Sequence, residues 1–592
     1  MKVRGRLHRN EHGYVLITSA LVLVPLLVIT GMAVDFGGGY WQGTTMQRAV
    51  DAAALAGVIW LPDLAKATSV ATDVMAKDGY ASSSSNVVTV SAIGSRQLKV
   101  TLVSPAKGYI AGPLLHKSYT ITRSGTAEYL RPIPMGSPIA SLANDPESAA
   151  TPPQLWLNQS GPGSTKGNGD RYSSGYCGTS NSGFDSGCTG TTNNDLNDDG
   201  YYYVTRVSSV GTGSLHFQAF DPAFILTGDT CNINGYSSTN ETTLINQYKA
   251  SGSKAGGADP DAAARYDYQN TSNNAYCPGD NTINGLSNLT TTFIVRAPDN
   301  TPLDMTDNPA VCAISFGPET PDSSGDYFDK LDQSVSNFTT APKEQPENLA
   351  FWQIFRRWVD ICTVNSPVAG DYITQVTTTA DQSSPKFSTT GSLTPATGGA
   401  GSLENRDPSI VTGGHNRYAL RSGFVTNSSP KIDGVATPSG TGVAEFAGGE
   451  LPIYVNQNTS SASFYLAQLT PQYAGSTLSL QFFDIADTAG TASMQVLPPT
   501  DSNYTTFTSC SFTRDDITPN AISQTGCGIS GLTSSSYDSR VVTLLLTLPN
   551  DYTCTVSSTG CWLHVQLTFS GAPADTTTWS ASLLGDPVRL VQ

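Results

Sequence analysis

Residues 14 to 34 carry no charge, and four cations, Lys2, Arg4, Arg6 and Arg9, precede them against a single acid, Glu11. At about 1.5 Å per residue, such a run reaches across the roughly 30 Å hydrocarbon core of a bilayer. Gly31-Met32-Ala33 is a small-x-small triplet of the kind a signal peptidase accepts, but the run is longer than the apolar stretch of a secretion signal. The pattern therefore predicts a retained transmembrane helix over 14–34 behind a basic leader over 1–13. Basic residues before the span keep the N-terminus in the cytoplasm and place everything after Asp35 outside. Pro25 is tolerable mid-span. In the following "MQRAVDAAALAGVIW" the period becomes helical, with Met46, Val50, Ala53 and Gly57 on one stripe. Its small residues suit close packing by a partner helix; packing on the helix's own module is the other reading.

Further on, "DLAKATSVATDVMAKDGY" reads as a helix, and "NVVTVSAI", "QLKVTLV" and "YTITRSGTAEY" read as strands, giving a small α+β module over 35–132. Residues 133–153, rich in Pro, Ser and Ala, read as a linker. Beyond it short β-rich runs recur, among them "YYYVTRV", "SLHFQAF", "TTFIVRA", "DYITQVTT", "SFYLAQL", "TLSLQFF", "VVTLLLTL" and "WLHVQLTF", separated by Gly, Asn, Ser, Thr and Pro. That pattern predicts antiparallel β-sandwiches of jelly-roll or Ig-like kind. In "NLAFWQIFRRWVDIC" Phe351, Ile354, Phe355 and Trp358 instead fall at helical spacing. The stretch 201–224 aligns without gaps on 464–487 with six of 24 positions identical, including Leu215/Leu478, Gln218/Gln481, Phe220/Phe483 and Asp221/Asp484. Two related sandwich domains are expected, over 154–376 and 403–592, joined by a Ser/Thr/Gly-rich linker at 377–402. The fold class is mainly β, with one transmembrane helix and one α+β module ahead of two sandwiches.

Composition narrows the function. The chain has 592 residues, a formal net charge of -16 and 14 % charged residues. An acidic, Lys-poor surface repels phosphate backbones, so nucleic acid is not an expected partner. The ten cysteines are Cys177, Cys188, Cys231, Cys277, Cys312, Cys362, Cys510, Cys527, Cys554 and Cys561. Their even number, without CxxC pairs, predicts disulfides and an oxidising compartment. Pairing in chain order is one of many connectivities, favoured because each loop is then local.

The order basic leader, uncharged span and "GMAVDFGGGYWQGTTMQRAVDAAALAG" resembles the N-terminal module of TadE/TadG-like proteins of Flp (tight-adherence) pilus assembly. The resemblance extends over 60–132 and covers about a fifth of the chain. It implies a bacterial protein of the cytoplasmic membrane with its bulk outside, whose partners are other pilus-assembly or envelope proteins. Thr18 stands where pilin-like precursors cut after Gly13 would carry Glu, which argues against prepilin-peptidase processing.

Candidate chemistry is sparse. Asp195, Asn197, Asp199 and Gly200 match the opening of a calcium loop, D-x-[DN]-x-[DN]-G, but Arg206 takes the place of the closing Glu. The readings are a calcium half-site completed by acids such as Asp170 or Asp185, or an Asn/Asp-rich turn. No cofactor is required. None of the six histidines forms a ligand pair, and neither G-x-S-x-G nor a phosphate loop occurs. A non-enzymatic protein is expected, with a secreted hydrolase as the remote rival. A glycan or matrix ligand held on Tyr201–Tyr203, Trp156 or Trp562 is the binding alternative.

Overall fold

The computed structural model describes residues 12–591 except 62–63, 94–96, 107–118, 130–132, 149–154, 178–186, 230–264, 266–274, 284–288, 300–304, 317–353, 380–412, 433–434, 457–460, 486–489, 516–521, 558, 571–573 and 585–587. The basic leader lies outside the described residues, apart from His12 and Gly13. The chain forms two compact units, Met1–Arg131 with Gly585–Gln592, and Pro132–Leu584.

In the first unit one unbroken helix, α1 (His12–Val58), runs for 47 residues. The span and the stripe-bearing segment are therefore one element. No proline occurs after Pro25 within it, so nothing removes a backbone donor where the apolar run ends. Helix α2 (Leu64–Lys77) and strands β1 (Val87–Ile93), β2 (Gln97–Pro105) and β3 (Thr120–Tyr129) follow where the alternation predicts them. The three strands form an antiparallel sheet in chain order. Its fourth strand comes from the far end of the sequence: Val588–Leu590 pairs with β3 through Val588↔Tyr129, Arg589↔Glu128 and Leu590↔Ala127. Residues 585–592, assigned from the sequence to the second sandwich, thus belong to the first unit. The whole second unit is inserted between two strands of that sheet.

The second unit contains a ten-stranded and an eleven-stranded antiparallel sheet among the described residues. They pack face to face: Tyr203 and Phe293 of one meet Tyr418 of the other at ring distances of 6.5 and 5.4 Å, and Phe464 meets Trp579 at 5.7 Å.

Within this double sheet, seven strands recur in the same order. In the first copy they are Tyr201–Val207, Ser214–Phe220, Thr290–Arg296, Ala310–Phe316, Trp358–Val364, Gly370–Thr379 and His415–Val425. In the second they are Ser461–Gln468, Thr477–Phe483, Ala492–Leu497, Gly528–Leu532, Val541–Thr547, Trp562–Phe569 and Ala574–Leu583. In each copy the second strand lies between the fifth and seventh in one sheet, while the first, sixth, third and fourth adjoin in that order in the other. The copies meet along a local two-fold seam. Leu157 and Trp156 pair with Ile453 and Tyr454 in one sheet, and Gly136 and Met135 pair with Phe446 and Ala447 in the other.

The sequence echo falls on equivalent places. Asp221 and Asp484 both take positive φ, 50° and 62°, and their N–H groups donate to the Arg357 and Arg540 carbonyls, each at 3.0 Å.

Two sequence-based boundaries move. The first copy runs on to Val425, so the change of copy falls within 426–442, and the 377–402 stretch joins the sixth and seventh strands of copy one; most of it lies outside the described residues. Residues 133–153 are no simple linker, because Ile133, Met135, Leu142 and Ala143 are buried in the core. The stretch with helical spacing lies outside the described residues up to residue 353; Ile354 is helical, and after a turn strand Trp358–Val364 begins. Arg356 turns the chain there with φ 51°, as its counterpart Ser539 does with φ 57°.

Candidate functional site

The element that carries the membrane signal is α1. Its apolar part, from Leu16 to Val34, is almost wholly uncovered, and the helix is long and apolar enough to cross a bilayer. The same helix then becomes the spine of the module. Met46, Val50 and Ala53 are fully buried, together with Ala67, Ala71 and Met75 of α2 and Leu98, Val100 and Leu102 of β2. At Gly57 an added Cβ would stand 2.6 Å from Leu98 Cδ2 and 2.9 Å from the Ala67 carbonyl oxygen. The Met46, Val50, Ala53 and Gly57 stripe is therefore filled by the module's own sheet and α2, and is not free for a partner helix. Both readings require the same small, apolar positions, which is why the pattern could not separate them. Polar contacts fix the junction: Gln42 Nε2 donates to the Pro105 carbonyl at 2.9 Å, and Gln47 Nε2 to the Ser124 carbonyl at 3.0 Å.

In the second unit, the calcium-like stretch forms a turn tied to two cations. Asp195 Oδ2 accepts hydrogen bonds from Lys166 Nζ at 2.8 Å and Arg171 Nε at 2.9 Å. Burial alone would raise its carboxyl, but these two cations hold it below the usual range. Asn197 Oδ1 accepts from the Asp199 N–H, and its Nδ2 donates to the Gly200 carbonyl, the self-bonding of an Asx turn. Asp170, a proposed completing acid, is buried and already accepts from the Ser160 and Ser173 N–H groups, Asn158 Nδ2 and the Tyr201 hydroxyl. Asp185 lies outside the described residues. Among the described residues no group of three His, Cys, Asp or Glu is placed to hold a metal.

The aromatic candidates went to the core. Tyr201, Tyr203, Trp156 and Trp562 are buried, and Trp156 stacks on Phe220 at 5.5 Å. Tyr202 lines a cavity of about 420 Å³, together with Tyr172, Met305, Glu450, Gln481 and Ser580. Gln481 Oε1 accepts from Arg171 Nη1 at 3.1 Å. Burial lifts the Glu450 carboxyl to about 7 against the pull of Arg171, and burial lifts the Tyr172 phenol to about 12. The sequence reading passed over Glu450; its only local signal is the Gly448-Gly449 pair before a strand.

Cys177–Cys188, Cys312–Cys362, Cys510–Cys527 and Cys554–Cys561 are disulfides, the chain-order pairing. Cys277 is also disulfide-bonded, and Cys231 lies outside the described residues. Two bridges have a clear mechanical place. Cys312 and Cys362 join the outermost strands of the two sheets at the first copy's end, and Cys510 and Cys527 join the sheets at the second copy's end.

No curated protein and no solved structure matches the chain. A family model does match one segment, and it falls on α1 and the start of α2, the elements that combine the exposed apolar run with the module's buried spine. Residues 13–68 match the Tad family model, described as Flp pilus-assembly TadE/G-like, so this segment of the chain is similar to that family.

Proposed function

We propose that this is a non-catalytic, membrane-anchored envelope protein that takes part in Flp-type pilus assembly or attachment, with its N-terminus inside and its β-rich body outside the cytoplasm. The observation that carries the reading is the continuity of α1. A single helix supplies both the exposed apolar run and the buried spine of the TadE/G-like module, so the module is fixed to its anchor by backbone hydrogen bonds and needs no separate tether. The basic leader ahead of the run favours this orientation. Disulfides bracing the body suit an oxidising compartment. Partners are other pilus-assembly or envelope proteins, and no cofactor is needed for the role. The test is a count of pili by electron microscopy on cells lacking the gene, restored with the full chain or with a version lacking residues 1–34. Pili restored only by the anchored form support the reading; pili unchanged by the deletion overturn it.

A further inference from the structure

We infer that Phe36, Tyr40 and Trp41 form an aromatic collar that seats the module in the headgroup layer of the bilayer crossed by α1; this rests on α1 being a membrane span. The three rings are 79 %, 79 % and 70 % exposed, yet the next residue, Gln42, is only 8 % exposed and already bonded to Pro105. The collar therefore occupies the short interval between the apolar run and the module. Helical geometry turns Tyr40 and Trp41 away from the Met46 and Ala53 stripe, while Phe36 lies more than a turn below the first residue that the module covers. Among the described residues nothing covers them.

Depth decides the occupant. At a rise of about 1.5 Å per residue, positions 36 to 41 stand about 3 to 10 Å beyond Val34, the last residue of the uncharged run. The headgroup layer on each side of a bilayer is about 5 to 8 Å thick. Helical Cα–Cβ bonds tilt toward the N-terminus, so the rings lean back toward the hydrocarbon. Tyr and Trp, with an apolar body and a polar tip, are the side chains suited to that boundary. Tyr119, 60 % exposed, lies at the same end of the sheet, since its carbonyl accepts from Ala106 next to Pro105, which Gln42 holds. The partner is thus the phospholipid interface itself, and the collar sets the height of the module above the membrane.

The experiment uses the full chain reconstituted alone in phosphatidylcholine vesicles, with lipids brominated near the carbonyl end of the acyl chains. The chain has seven tryptophans, and Trp41 is the one placed at the interface. Brominated lipid is expected to quench a component of the emission that is lost in Trp41→Phe. Equal quenching of the two proteins overturns the collar. A Trp41 shielded from both brominated lipid and aqueous iodide overturns it in favour of contact between copies. Carbonate extraction is run in parallel: protein that stays in the membrane with Trp41 unquenched refutes the collar alone, whereas protein that is released refutes the span as well.

Discussion

At Gly57 the space for a side chain is already occupied, while at Gly37 and Gly39 nothing lies within 4 Å of an added Cβ. The same residue type therefore has opposite consequences along one helix. Gly57→Val is expected to lower the module's stability by about 1 to 3 kcal/mol, through overpacking against Leu98 and the Ala67 carbonyl. Gly37→Ala and Gly39→Ala should each favour the helix by about 1 kcal/mol. Thermal unfolding in detergent reads the first, and amide exchange across residues 36–41 reads the second. Buried acids give a further prediction at this scale. Burial raises the Glu445 carboxyl to about 8, against a hydrogen bond from Ser422 that acts the other way. The unfolded chain releases that proton near 4.5, so raising the pH from about 4.5 to 8 removes stability. His415, lowered to about 3 by burial and by Arg417, acts in the opposite sense below about 6.5. Between about pH 6.5 and 8 the melting temperature of the second unit is therefore expected to fall, and Glu445→Gln should flatten the slope. None of this was legible in the sequence. Tyr201 and Tyr203 alternate as surface residues would, and only the second sheet packed over them shows that this face is the core.

Among the elements, alternation was a good guide to strands and a poor guide to their neighbours. The runs at Tyr201–Val207, Ser214–Phe220 and Trp562–Phe569 were readable because apolar and polar residues alternate along them. The seam between copies rests partly on Met135–Gly136, a two-residue strand that no periodicity can announce. The echo between 201–224 and 464–487 nevertheless pointed to the right pair of strands in each copy. Chain-order pairing was also readable for the four bridges among the described residues, since local loops close most easily. The structure adds where two of the bridges act: they tie the two sheets to each other at the ends of the double sheet. The double substitution Cys312→Ser/Cys362→Ser is expected to cost about 3 to 5 kcal/mol in the loop-entropy picture. It should also let the end strands of the two sheets part and expose core surface, which promotes association. Denaturant titration and light scattering under non-reducing conditions check both effects.

For the whole molecule, the two-unit division was only half visible from the sequence. The N-terminal module was recognisable from α1, but "VRL" near the end of the chain is too short to show which sheet it joins. Deleting residues 585–592 should leave the second unit's core intact and remove exchange protection from the amides of β3 that face the lost strand, around 127–129. Hydrogen exchange read by mass spectrometry separates the two units directly. The order of synthesis gives the same feature another meaning. Domains ordinarily fold from the N-terminus as they emerge, but here the N-terminal module lacks its last strand until translation has passed residue 590. A chain cut short anywhere in the second unit would carry its first module with β3 still open, marked as unfinished at its own beginning.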